Sequence, residues 1–272
     1  MNVDNKGIIK VAYLILAHDN YSNLQHLIYL LSATNVTFFI HIDAKSKMPK
    51  LSSSSDIIFI ERQKVYWASF SIVKASLLLL KKAYSKGFDR YVLLSATHLP
   101  LLNNKSIIDL LSSDKEFIEI DKGFTSNKPK RRISWFYFDD FNRKNRRNIK
   151  WFLIRSIELL ISLFYSNRGF DMNNIFHGQQ WWALSNNCVT YILNYVDNNP
   201  QYIKFFKNSY CPDESFFQTI VGNSTFKTKA NHKTTFAIWT EKEKPAILNT
   251  EKLKSIPKDE TKGFLFARKF VD

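Results

Sequence analysis

The chain has 272 residues, 45% of them hydrophobic, which is enough for the core of one large α/β domain or two small ones and too apolar for a disordered segment. Its 39 Lys and Arg against 24 Asp and Glu leave a formal net charge of +15, which favours polyanionic partners: nucleic acid, an anionic membrane surface or phosphorylated substrates. Two cysteines, Cys188 and Cys211, supply neither a disulfide framework nor metal-ligand spacing, and fit a reducing compartment.

The first apolar stretch, about eight residues long and ending at His18-Asp19, is too short for a signal anchor or a membrane span and reads as a buried strand over 11–18. A helix is predicted over 23–33, strands over 37–43 and 56–62, a long helix over 71–85 and a strand over 89–96. This alternation predicts a mostly parallel sheet with crossover helices, an architecture that gathers ligands at the carboxyl ends of its strands. His18-Asp19, His41-Ile42-Asp43 and Ser95-Ala96-Thr97-His98 stand at such ends. Neither GxGxxG nor GxxxxGK[ST] occurs among the seven glycines, which argues against a dinucleotide dehydrogenase and a P-loop ATPase.

The second half is less regular. A strand over 116–121 precedes a basic stretch from Lys128 to Lys150 and an apolar segment over 151–166, which Arg155 and Glu158 make amphipathic rather than spanning. A basic stretch ahead of an apolar helix suits a membrane interface, and a solvated charged loop equally. The Asp-x-Asp pair that holds a divalent metal in many nucleotide-sugar transferases is missing; Glu119 and Asp121, on one face of a strand, and Asp139-Asp140 are the nearest pieces, and no metal is expected.

In "GQQWWALS" (178–185) strand alternation predicts one of Trp181 and Trp182 in the core and the other exposed to stack on a sugar; burial of both is the alternative. In "CPDESFFQTIV" (211–221) Asp213 and Glu214 follow a proline at a helix start, where a carboxylate can cap free N–H groups. "FLFARKF" (264–270) brings Arg268 and Lys269, either to offset the charge of a leaving diphosphate or as two solvated cations.

The segments "AYLILAH", "FFIHID", "VYWASFSIVKASLLLL", "LLSATHLPL", "GQQWWALS", "PDESFFQT" and "LFARKF", in this order over nearly the whole chain, resemble the Core-2/I-branching enzymes, glycosyltransferase family 14, which also includes the peptide-O-xylosyltransferases. The resemblance implies an α/β, single-domain GT-A-like nucleotide-sugar transferase fold, with a mostly parallel central sheet flanked by helices. Residues 1–121 would bind the UDP-sugar and 122–272 would hold the acceptor and the catalytic base. It further implies inverting, metal-independent transfer from a UDP-sugar, expected to carry N-acetylglucosamine, to a glycan hydroxyl with a β linkage and no cofactor. The family's base, the Glu of its Pro-Asp-Glu stretch, falls at Glu214, as in-line displacement requires a carboxylate to take the acceptor proton. Asp213 is then the cap. Lys269 matches the family's diphosphate-contacting cation, with Arg268 second. His18, His41, Asp43, Trp67, Ser95 and His98 carry over to the donor side, and Gln180, Trp181, Trp182 and Asp213 to the substrate side.

Two departures stand out. The family usually reads Ser-Gly-x-Asp-x-Pro-Leu where this chain has Ser95 to Leu101 with His98 in the acid's place, and many relatives carry an arginine near the C-terminus where Lys233 is the closest cation. The chain looks like a bacterial cytosolic member, its Lys, Asn and Ile richness suiting an AT-rich genome, and is expected at the inner face of the cell membrane on glycan or lipid-linked oligosaccharide acceptors. Two readings compete. The charge prompts a nucleic-acid-binding protein, but no recognised motif is present and no nucleic-acid partner is expected. His98 prompts a catalytically inactive sugar-binding homologue, against which Glu214 and Lys269 stand.

Overall fold

A computed structural model describes residues 8–139, 141, 143, 149–164, 171–230, 232–240 and 245–271. In β1 (Val11–Ala17) successive side chains leave on opposite faces, so Ala12 and Leu14 enter one core cluster while Val11, Tyr13 and Ile15 enter another. A strand buried on both sides needs helices on both faces, and a continuous apolar run is what such a strand requires.

The crossover α1 (Tyr21–Leu31) leads to β2 (Val36–Ile42), parallel to β1 with Val11 opposite Val36. β3 (Asp56–Phe59) adds parallel to β2 and stops short of the predicted residue 62. Helix α2 (Phe70–Tyr84) starts at Ser69, whose side chain accepts from the Ser71 N–H, and returns the chain to β4 (Arg90–Ser95), parallel on the other side of β1. β5 (Leu99–Pro100), α3 (Asn104–Leu111), β6 (Asp121–Lys122), α4 (Arg131–Ser134), α5 (Ile149–Phe164) and β7 (Phe176–His177) follow. β8 (Trp182–Ser185) then pairs antiparallel with β4 and completes the central sheet in the order β3-β2-β1-β4-β8. Helices α6 (Asn186–Asn198), α7 (Pro200–Lys207) and α8 (Phe216–Gly222) pack with α2 on one face; α1 and α3 cover the other.

After β9 (Thr235–Phe236), α9 (Thr250–Ser255) and α10 (Lys258–Thr261), the chain closes with β10 (Phe266–Ala267), which lies between β5 and β9. Because β5 follows the end of β4 directly, pairing of Phe266 with Pro100 delivers Arg268 to the neighbourhood of Ser95 and His98.

The strand predicted over 116–121 is not one: Phe117 makes an isolated bridge to Ala183, and only Asp121 joins the short β6–β7 pair. Within this segment the Glu119 carboxylate accepts from the Gln179 N–H (3.0 Å) and pairs with Lys233 (2.8 Å). The amphipathic segment is helical as far as Phe164; Tyr165 and Ser166 lie outside the described residues, as do Asp140, Lys144, Arg146 and Arg147.

Candidate active site

The acidic pair sits in a single 3-10 turn, Pro212–Glu214, entered through Cys211 at φ 50°. The Cys211 N–H donates to the carbonyl of Ala68, itself at φ 62°, so two non-glycine residues in the left-handed region are tied together beside Trp67. Such strain persists only where the surroundings enforce it, and it concentrates at functional sites. The turn is also held from the opposite side. The Gly178 N–H donates to the Glu214 carbonyl (3.0 Å), and His177 Nδ1 lies 2.6 Å from Ser215 Oγ. Position 178 must be glycine, because a Cβ there would lie 2.0 Å from the Glu119 carbonyl oxygen.

Asp213 does not cap the helix. Helix α8 begins after Ser215 with no side-chain cap bond, and Asp213 Oδ1 is buried without a hydrogen-bond partner. Asp213 lies in the 3-10 turn ahead of α8, near Glu214, Arg132 and Arg268. Burial, with Glu214 adding to it, pushes the Asp213 carboxyl up to about 7, against the pull of its own backbone N–H, Arg132 and Arg268.

Glu214 points to Arg132, with Oε2 2.7 Å from Nη1 and the two side chains 27% and 20% exposed. Arg268 stands on the other flank: its guanidinium carbon lies 4.8 Å from the Trp181 ring centroid, and its Nε has no hydrogen-bond partner. Burial lowers its pKa to about 10, opposed by Asp213 and Glu214. For Arg132 burial pulls the other way from Glu214 and the neighbouring Cys211, and the net direction is upward.

Both tryptophans are buried, Trp181 at 6% and Trp182 at 0%, so the exposed indole predicted from alternation is absent. They do face opposite ways: Trp182 packs on Phe217 (5.3 Å), whereas Trp181 meets His98 edge-on (4.6 Å) and carries Arg268 over its face. Alternation held, but Arg268 and His98 cover the second ring. His98 is buried and neutral, driven down by burial and by Arg268. Its Nδ1 accepts from the Ser95 N–H (2.9 Å) and its Nε2 faces Thr235 Oγ1 (3.3 Å). Gln180 is half-buried in the loop before Trp181.

The remaining predicted residues spread out from this centre. His41 is buried at the end of β2, where its Nε2 accepts from the Gln63 N–H (3.1 Å), and burial lowers its pKa. Asp43 holds Lys45 (2.9 Å), and exposed His18 lies 3.3 Å from Asp19. Lys269 is half-buried, and its carbonyl accepts from the Leu248 N–H (2.8 Å). Lys233 is engaged with Glu119.

Trp67 lines an open groove of about 380 Å³ together with Tyr210, Arg131, Arg132, Arg143, Trp151 and Arg155. Arg132, His177 and Lys128, which donates to the Gly178 carbonyl (2.8 Å), were not distinguishable in sequence. Among nine cations between 128 and 150, no spacing selects the one that folds onto Glu214. Among the described residues no group of three or more His, Cys, Asp or Glu could hold a metal ion.

A cluster of buried Trp181 and His98 with half-buried Arg268 lies at the end of the mostly parallel sheet, near the carboxylate turn. The family model for the Core-2/I-Branching enzyme matches residues 11–259. The chain belongs to that family. It is therefore a glycosyltransferase of GT-A-like fold, and family membership implies a nucleotide-sugar donor and a glycan acceptor. No curated protein matches the sequence. Within this Core-2/I-branching enzyme the neutral His98 imidazole fits between Ser95, Thr235 and the Trp181 edge.

Proposed function

We propose that this protein transfers a sugar, N-acetylglucosamine by preference, from its UDP conjugate to a glycan hydroxyl with inversion, using Glu214 as general base. The observation that carries the reading is the placement of the Glu214 turn between Arg132 and Arg268, with its carboxylate partly open to solvent. The acceptor oxygen attacks the anomeric carbon, its proton passes to Glu214, and the bond to UDP breaks with its electrons leaving on the diphosphate. Arg268, held against Trp181 beside the end of β4, and Lys269 offset that developing charge, so the reading needs no metal. Asp213, largely protonated below about pH 7, adds little negative charge there.

The enzyme works at an anionic membrane surface. Among the described residues no helix is long and apolar enough to cross a membrane. In α5, however, the one buried side chain is Glu158, while Phe152, Leu153, Leu160, Leu163 and Phe164 face outward, Phe164 at 89% exposure. A helix docked through a carboxylate with its apolar side turned out suits an interface, and lipid-linked acceptors of bacterial surface polysaccharide or lipooligosaccharide would be met there.

The test is transfer and UDP binding measured together for the wild type and Glu214→Gln, with EDTA and with Mg²⁺. Transfer that survives EDTA and falls by roughly 10²-fold to 10⁴-fold in the variant, with UDP still bound, is the expected result. Equal activity of the variant, or no UDP binding by the wild type, would overturn the assignment.

A further inference from the structure

The groove beside Glu214 is rich in cations. Four guanidinium groups, Arg131, Arg132, Arg143 and Arg155, line it, and among the described residues no carboxylate does. Arginine offers only donors, and the acceptors in the lining, on Ser126, Asn127, Tyr137 and Tyr210, carry no charge to offset the guanidinium groups. Two carboxylates touch these arginines: Glu158 takes Arg143 and Arg155 (3.2 Å), and Glu214 takes Arg132 (2.7 Å). Among the described residues four positive charges thus meet two negative ones. Arg131 is exposed and forms no ion pair among the described residues. The walls between the arginines are aromatic: Trp67, 43% exposed, stands edge-on to Tyr210 (5.8 Å), and Trp151 lies opposite on α5. The lining includes Arg132 but neither Arg268 nor the strand ends at Ser95 and His98, so the groove is separate from the place assigned to the diphosphate.

We infer that the groove receives an anionic group, phosphate or carboxylate, carried by the acceptor glycan, with Arg131 and Arg132 as its contacts and the Trp67 face against the sugar ring. Guanidinium forks match both anions, and an exposed indole suits the C–H face of a pyranose. The assignment rests on the transferase reading, since it takes the groove next to the base as the acceptor side. An acceptor anion drawn onto Arg132 would also loosen that arginine's hold on Glu214, leaving the carboxylate to turn to the attacking hydroxyl.

The test is direct binding of glucose, glucuronate and glucose 6-phosphate to the intact protein, with and without saturating UDP, for the wild type and Arg131→Gln. The expected result is at least about tenfold tighter binding of one or both anionic sugars than of glucose, unchanged by UDP and reduced in the variant. Equal binding of glucose, full retention of the preference in Arg131→Gln, or displacement of the anionic sugars by UDP would each overturn it. Binding to anionic vesicles with no soluble sugar anion bound would also overturn it, in favour of a lipid headgroup. UDP binding in the same samples separates the two readings: its loss would break the nucleotide-sugar assignment while the anion preference is still read.

Discussion

Asp213 is held at a cost that depends on pH. Its carboxyl is raised from 3.8 to about 7, so between these values the folded protein binds a proton that the unfolded chain has released. Stability from this group therefore falls as pH rises from about 4 to 7 and stays reduced above that. Asp213→Asn removes the penalty: its melting temperature relative to the wild type should be higher at pH 8 than at pH 4.5. The same difference at both values would show that Asp213 ionises freely. His177 works in the opposite sense. Burial, with Lys128 and Arg132, lowers it to about 4, so the unfolded chain takes up the proton first as pH falls from 6.5 to 4 and stability is lost over that window. His177→Gln should flatten the pH dependence of melting there, and an unchanged slope would mean the ring titrates elsewhere.

At the scale of elements, the active turn is assembled by close approach rather than by its own propensity. The segment Phe176–Gln180 passes between Glu119 and the Glu214 turn, and only glycine at 178 lets the backbones meet. Gly178→Ala should destabilise the fold by roughly 1–3 kcal/mol or more and lower transfer, because the added methyl must push away either the Glu119 carbonyl or the strand that anchors Glu214. Chemical denaturation checks the first effect, and an unaltered midpoint would refute the contact. Helices α1 and α2 and strands β1, β2 and β4 were legible in the sequence to within a residue or two at either end, because apolar periodicity is a local property. The 116–121 segment was not, since its β-bridge partners, Ala183 at Phe117 and His177 at Asp121, are remote in sequence. Asp213 misled for a related reason: a proline followed by acids reads as a helix start, but here the proline opens a 3-10 turn and the helix waits until Phe216.

For the whole molecule, the proposed membrane contact rests on the net charge of +15 and the outward apolar side of α5. The wild type should float with vesicles containing anionic lipid and less with neutral ones, and Leu160→Glu with Leu163→Glu should abolish flotation without lowering the melting temperature, since both side chains are more than half exposed. Absence of flotation by the wild type would end the membrane reading. Sequence alone determined the family, the α/β class, the alternation of the first half and the identity of Glu214 as the base to test, because these lie in local pattern and in motif order. Tertiary structure decided which cations lie beside Glu214. Pairing of β10 with β5 brings Arg268 onto Trp181, and the basic stretch folds back so that Arg132 reaches Glu214 while Arg131 lines the groove. Charges distant along the chain become neighbours only through strand pairing and helix docking, and local pattern carries no record of that distance.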